Sequence, residues 1–219
     1  LILLMLVDRL LELGCEIIQV NTDGVVYRAK NSLREGIQEA ISEVERITQL
    51  GFEVDEYEAF YQYAINDYFG VLKDGSIEEK GMFITKTKLG KGLSPVVIPK
   101  AIIAYFTQHI PVTEFIEKDR DIRDFLMSQA VDKKFKVVHG DKPIQRINRF
   151  YASTNGAYLY KDNPEGNRDR TNMLTKSGVT ILNKFDDLPI EDRKINYRYY
   201  ISEAKKVIAD FTEQQLSLF

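Results

Sequence analysis

Residues 16–28, Glu-Ile-Ile-Gln-Val-Asn-Thr-Asp-Gly-Val-Val-Tyr-Arg, decide how this chain folds. Two apolar runs flank four polar residues, Asn21-Thr22-Asp23-Gly24. Asn or Asp followed by Gly supplies the backbone freedom of a tight turn, so the stretch predicts a hairpin with strands at about 16–20 and 25–29. Asp23 then stands on a rigid tip, either as turn chemistry or as a carboxylate presented to a cation.

Before the hairpin, apolar residues at 3, 4, 6, 7, 10 and 11 form a helical stripe that Gly14 ends. After it, Ser32 and Glu35 have the spacing of a capping box, opening a helix with apolar positions 37, 41, 44, 47 and 50 before Gly51. Alternating aromatics at 57–64 and an Asp74-Gly75 turn predict a second hairpin. Residues 85–95, Thr-Lys-Thr-Lys-Leu-Gly-Lys-Gly-Leu-Ser-Pro, have three lysines, two glycines and no periodicity, as a linker or phosphate-contacting loop would. Helices are predicted from Pro99 to about His109, near 112–118, at about 121–130 and at about 191–211. Strands are predicted within 134–141, 147–154, 156–161 and 178–185. The class is α+β: mixed helices and antiparallel hairpins, followed by a mixed α/β region.

The chain has 219 residues, enough for one large domain or two smaller ones with a sizeable core. One cysteine, Cys15, excludes an internal disulfide and fits a reducing compartment. With two histidines and one cysteine, a structural zinc site is excluded, so a metal would need carboxylate oxygens, as magnesium does. Cys15 reads as a core residue, His109 as a helix end and His139 as a turn residue. The opening run, Leu1-Ile-Leu-Leu-Met-Leu-Val7, is too short to span a bilayer and is broken by Asp8 and Arg9. The absence of an initiating Met predicts that the chain is the C-terminal part of something longer.

Charge is segregated. Residues 1–85 carry 7 Lys and Arg against 16 Asp and Glu, residues 86–150 carry 13 against 7, and residues 151–219 balance at 10 against 10. An acidic segment followed by a basic one suits a metal-dependent enzyme acting on a polyanion, and equally an uneven surface with no partner.

Residues 15–28, Cys-Glu-Ile-Ile-Gln-Val-Asn-Thr-Asp-Gly-Val-Val-Tyr-Arg, following a long apolar helix, resemble the palm motif of family B DNA polymerases, usually written Asp-Thr-Asp-Ser between two strands. The Asn-Thr-Asp-Gly variant is similar to the form in phage-encoded members. The resemblance implies that Asp23 is a metal ligand and catalytic carboxylate, and that Asn21 stands where the family more often has its first Asp. Residues 65–83, Ile-Asn-Asp-Tyr-Phe-Gly-Val-Leu-Lys-Asp-Gly-Ser-Ile-Glu-Glu-Lys-Gly-Met-Phe, resemble the hairpin that follows, whose Lys-x-Tyr pattern holds the primer–template minor groove. Tyr68 matches the tyrosine, while Asn66 occupies the usual basic position. Residues 88–112 resemble the passage from palm to thumb, and residues 144–161 the thumb.

The matches run in order along nearly the whole chain. They imply residues 1–88 as the C-terminal part of a palm, 89–211 as a thumb and 212–219 as a tail. They make Lys86, Lys88, Lys91, Arg146 and Arg149 candidate contacts to the DNA backbone, which would hold duplex by charge. The last five residues, Gln215-Leu216-Ser217-Leu218-Phe219, resemble the short motif by which bacterial polymerases dock on the sliding clamp. The expected function is therefore primer extension by metal-dependent nucleotidyl transfer, with two Mg2+ ions whose second ligand set lies outside this chain. Its partners would be primer–template DNA, deoxynucleoside triphosphates and a clamp, with no membrane, in the cytoplasm of a bacterial host. The chain alone is expected to be inactive. A different class of reading is a non-catalytic DNA- and clamp-binding subunit from a split or decayed polymerase gene.

Overall fold

The computed structural model describes residues 2–86, 92–162, 171–174 and 176–216, with side chains through Phe211. The fold is α+β with small antiparallel sheets. The chain divides into two units, one of Leu1–Phe60, Ala64–Asn66 and Gly70–Ile77, the other of Tyr61–Tyr63, Asp67–Phe69 and Glu78–Phe219. The resemblance implied divisions after residues 88 and 211; the two units found interleave between residues 60 and 78.

In the first unit, helix α1 (Ile2–Glu12) turns Leu6, Val7 and Leu10 inward. Gly14 adopts φ +84°, and the amides of Gly14 and Cys15 bond back to the carbonyls of Leu11 and Leu10, each at 2.9 Å. That left-handed turn delivers the chain into strand β1 (Glu16–Val20), which pairs with β2 (Val25–Arg28). Ile17 faces Tyr27 and Gln19 faces Val26, with a bulge between Ile17 and Gln19. Helix α2 (Arg34–Thr48) buries Ile37, Ala40, Ile41 and Val44, a stripe at helical spacing. Of these, Ile37, Ile41 and Val44 join Leu6, Leu10 and Cys15 in one core, against which Ile17, Val25 and Tyr27 of the hairpin pack. Each such aliphatic side chain contributes roughly 1.5–3 kcal/mol by leaving water.

The expected capping box does not form. Asn31–Leu33 make a 3-10 turn, which places Leu33 at the N-cap with no side-chain bond, and Ser32 lies one residue too early to cap.

Strands β3 (Tyr57–Ala64), β4 (Asp67–Leu72) and β5 (Ile77–Lys80) form a sheet in that order, its residues shared between the units. In the second unit, helices α3 (Val97–Gln108) and α4 (Val112–Lys118) precede two sheets. One comprises β6 (Met127–Ser128), β9 (Arg149–Ser153) and β12 (Gly178–Ile181), in the order β12-β9-β6. The other comprises β7 (Lys136–His139), β8 (Lys142–Ile144), β10 (Leu159–Asp162) and β11 (Thr171–Asn172), in the order β11-β10-β7-β8. Helix α5 (Tyr197–Leu216) closes the described chain.

Two helices expected from the sequence are placed differently. The stretch 121–130 is not a helix: the Asp121 side chain accepts from the Arg123 amide and caps a 3-10 turn at Ile122–Phe125, and Met127 then pairs with Phe150 in the sheet. The last helix starts at Tyr197 rather than 191, because Lys194 takes a left-handed φ of 55° and Asn196 receives the Tyr199 amide on its Oδ1 at 3.3 Å, as an N-cap does.

Aromatic rings dominate one region of the second unit's core. Phe69, Phe83, Phe106 and Phe211 meet in tilted and edge contacts, with centroids 5.1 Å apart for Phe69–Phe83 and 5.2 Å for Phe106–Phe211. Tyr200 is wholly buried; its hydroxyl donates to Phe125 O at 2.9 Å and accepts from Ala152 N–H at 2.8 Å. Burial pushes this phenol's pKa well above its ordinary value, so it stays neutral. Tyr200→Phe keeps the ring, which meets Phe125 edge-on at 5.2 Å, but leaves a buried amide and carbonyl without their partner. The expected loss is about 3 kcal/mol of unfolding free energy, read as a lower urea midpoint at unchanged slope. No helix among the described residues is long and apolar enough to cross a membrane.

Candidate functional site

The tip between β1 and β2 is built by Asn21. Its Oδ1 accepts the Asp23 amide at 2.8 Å and the Gly24 amide at 2.7 Å, and its own amide bonds to Gly24 O at 3.0 Å. This Asx turn uses the Asp23 backbone and leaves its side chain exposed, with no hydrogen-bond or ion-pair partner among the described residues. One strand behind the tip, buried Gln19 donates from Nε2 to Ile65 O at 3.0 Å, tying β1 to the turn between β3 and β4.

A carboxylate so placed can hold a hard cation. Among the described residues, no three His, Cys, Asp or Glu side chains gather as a metal site. The turn presents one carboxylate, that of Asp23. Between α2 and β3, Asp55 is exposed, while Glu56 accepts from both Arg34 and Lys73. The Lys73 hydrogen bond leads in holding the Glu56 pKa below its ordinary value. The two cations of Glu56 lie 22 and 17 residues away, beyond any local pattern.

The other candidate residues fall in the second unit. The Tyr68 hydroxyl donates to Glu78 Oε1 at 3.3 Å, and burial, then the Glu78 charge, raises its pKa. Lys86 is exposed, following Thr85, whose amide and hydroxyl both donate to Glu79. Lys88 and Lys91 lie outside the described residues. Arg146 is exposed on a turn held by Asn148, which donates to Gln145 O at 2.6 Å and accepts from Asn183 at 2.9 Å. Arg149 is half-buried: its amide donates to Asn183 Oδ1 at 2.9 Å, and its guanidinium bonds to Asn183 O and lies 5.4 Å from the Phe185 ring centroid. This arrangement fastens the 183–185 loop. Gln215 and Leu216 belong to helix α5, so the helix enters the clamp-like motif; Ser217, Leu218 and Phe219 lie outside the described residues.

A titratable cluster with no counterpart in the sequence reading sits at the end of α4. Asp124 is buried and pairs with Lys100. Burial, with Asp124 nearby, raises the Asp119 pKa to about 6. The folded carboxyl thus keeps its proton up to about pH 6, while the unfolded one loses it near 3.8. Protonation favours the fold, so this group's contribution is full below pH 4, falls through 4 to 6 and stays lost above. Asp119→Asn, able to keep the bond from the Asp121 amide (2.9 Å), is expected to stabilise the protein at pH 7 but not at pH 4, shown by the difference in urea midpoints between variant and parent.

No family model matches this chain, and no curated protein matches it.

Proposed function

We propose that this chain is the C-terminal palm and thumb part of a phage-type family B DNA polymerase. In the whole enzyme it takes part in magnesium-dependent primer extension from deoxynucleoside triphosphates, in the cytoplasm of a bacterial host. The observation that carries the reading is the exposed Asp23 carboxylate on a hairpin tip fixed by its own turn and by a buried strand residue. The ordered sequence motifs downstream support it. In this reading Asp23 contributes one carboxylate to the metal site, and the partner acid is supplied by upstream polypeptide. Exposed Lys86 and Arg146 are available to phosphate, and the sequence motif adds Lys88 and Lys91 as backbone contacts in this reading. Tyr68 and Arg149 would act from positions already tied to Glu78 and Asn183. The terminal residues Gln215 to Phe219 would dock on a sliding clamp.

The test has two arms. The chain should bind primed DNA with an affinity that falls steeply as salt rises, because each neutralised phosphate releases counterions. Alone it should not extend a primer; with the upstream polypeptide supplied, Mg2+-dependent extension should appear. Salt-insensitive or absent DNA binding sinks the proposal, as does extension by the isolated chain.

A further inference from the structure

We infer that Asn21 is the positioning residue of this tip and is not itself a cation ligand. The inference rests on the reading of Asp23 as a metal-binding carboxylate. A carbonyl oxygen has two lone pairs, and two amides, at 2.8 and 2.7 Å, occupy those of Asn21 Oδ1. The other end of the side chain is an NH2 group, a donor whose hydrogens turn a cation away. What Asn21 does instead is fix the peptide units on both sides of the Asp23 α-carbon, so that its Cα–Cβ bond leaves the turn in one direction. Its backbone amide, bonded to Gly24 O at 3.0 Å, closes the same turn from the other side.

The chemistry separates Asn from its near relatives at this position. Alanine removes the acceptor and frees both amides. Aspartate keeps an oxygen for the two amides, with a stronger charge-assisted bond, and adds a second oxygen free to meet a cation. The turn as it stands is a one-carboxylate tip, and Asn21→Asp should make it a two-carboxylate one.

The test uses the full chain with Mn2+ as probe, following amide exchange and paramagnetic broadening by NMR. Asn21→Ala should speed solvent exchange of the Asp23 and Gly24 amides about tenfold or more, and should weaken Mn2+ broadening centred on the tip. Amides of the Ile17 and Tyr27 pair, at the other end of the hairpin, serve as the check that the strands remain paired. Asn21→Asp should restore slow exchange and bind Mn2+ about tenfold more tightly than the parent. Unchanged exchange in Asn21→Ala overturns the assignment, as does an Asn21→Asp affinity equal to that of a parent whose tip does bind Mn2+. If exchange responds as stated but Mn2+ broadens the tip in none of the proteins, Asp23 is not a cation ligand; the underlying reading fails, while the turn-building role of Asn21 stands.

Discussion

Gly178→Ala is expected to unfold the second unit at room temperature, or to leave it with a urea midpoint too low to fit. A β-carbon at Gly178 would sit 2.1 Å from Gly156 O and 2.8 Å from its carbonyl carbon, and one at Gly156 would sit 2.2 Å from Val179 O. Both obstacles are backbone, so no side chain can swing aside. Relief requires the 154–158 turn to part from β12. That separation breaks the bond from the Val179 amide to Ala157 O (2.8 Å) and the one from the His139 ring to Val179 O (2.8 Å). It also disturbs the β12–β9 ladder, in which Gly178 faces Ser153. The combined loss should exceed about 4 kcal/mol, a large share of a typical domain's 5–15 kcal/mol. Gly14→Ala is the contrast. There the added carbon meets nothing within 4 Å, and only the φ of +84° is unfavourable, so about 1 kcal/mol is expected. Circular dichroism during urea titration reads both. A Gly178→Ala protein as stable as the parent would show that this close packing of two chain segments is not required.

The largest functional effect is expected at Asp23. Under the polymerase function proposed above, with the upstream polypeptide supplied, Asp23→Ala should lower the rate of primer extension by about 10³-fold or more, equivalent to about 4 kcal/mol of transition-state stabilisation. The variant should fold normally. The turn uses only the Asp23 amide, which alanine retains, and the side chain is exposed. Stability should therefore stay within about 0.5 kcal/mol of the parent. A large loss of rate at constant stability identifies a group that acts on the reaction. Full activity in Asp23→Ala would remove the carboxylate from the mechanism and leave a DNA-binding role for the chain.

How far the sequence led depends on the range over which each feature is decided. The β1–β2 hairpin and the α+β class follow from local periodicity and one turn; the stripes of α1 and α2 were legible only in part, since Leu4, Leu11, Ile47 and Leu50, counted into them by spacing, are exposed. The helix expected at 121–130 does not form because the outcome is set by Asp121 capping a tight turn and by Met127 finding Phe150, a partner distant in sequence. The same holds for the site. The exposed position of Asp23 was readable from Asn21 to Gly24. The ties of Arg149 to Asn183 and of Glu56 to Arg34 and Lys73 join residues far apart in sequence, and no spacing rule announces them. The role of Asn21 lay between these cases: Asn before Asp-Gly signals a turn, and only the geometry says that its oxygen is already used.

The Tyr200 hydroxyl also sets an order of events during synthesis. Its two partners lie 75 and 48 residues earlier in the chain, and its ring sits among residues that are made long before it. The first unit's core draws on residues 2–52, so it can close while the ribosome is still producing the second hairpin. The second unit has no such early closure: the segments around Phe125 and Ala152 must wait, partly assembled, until residue 200 emerges and locks them together. A pause or a truncation before that point should leave a nascent chain with one finished end and one that proteases and chaperones can still engage.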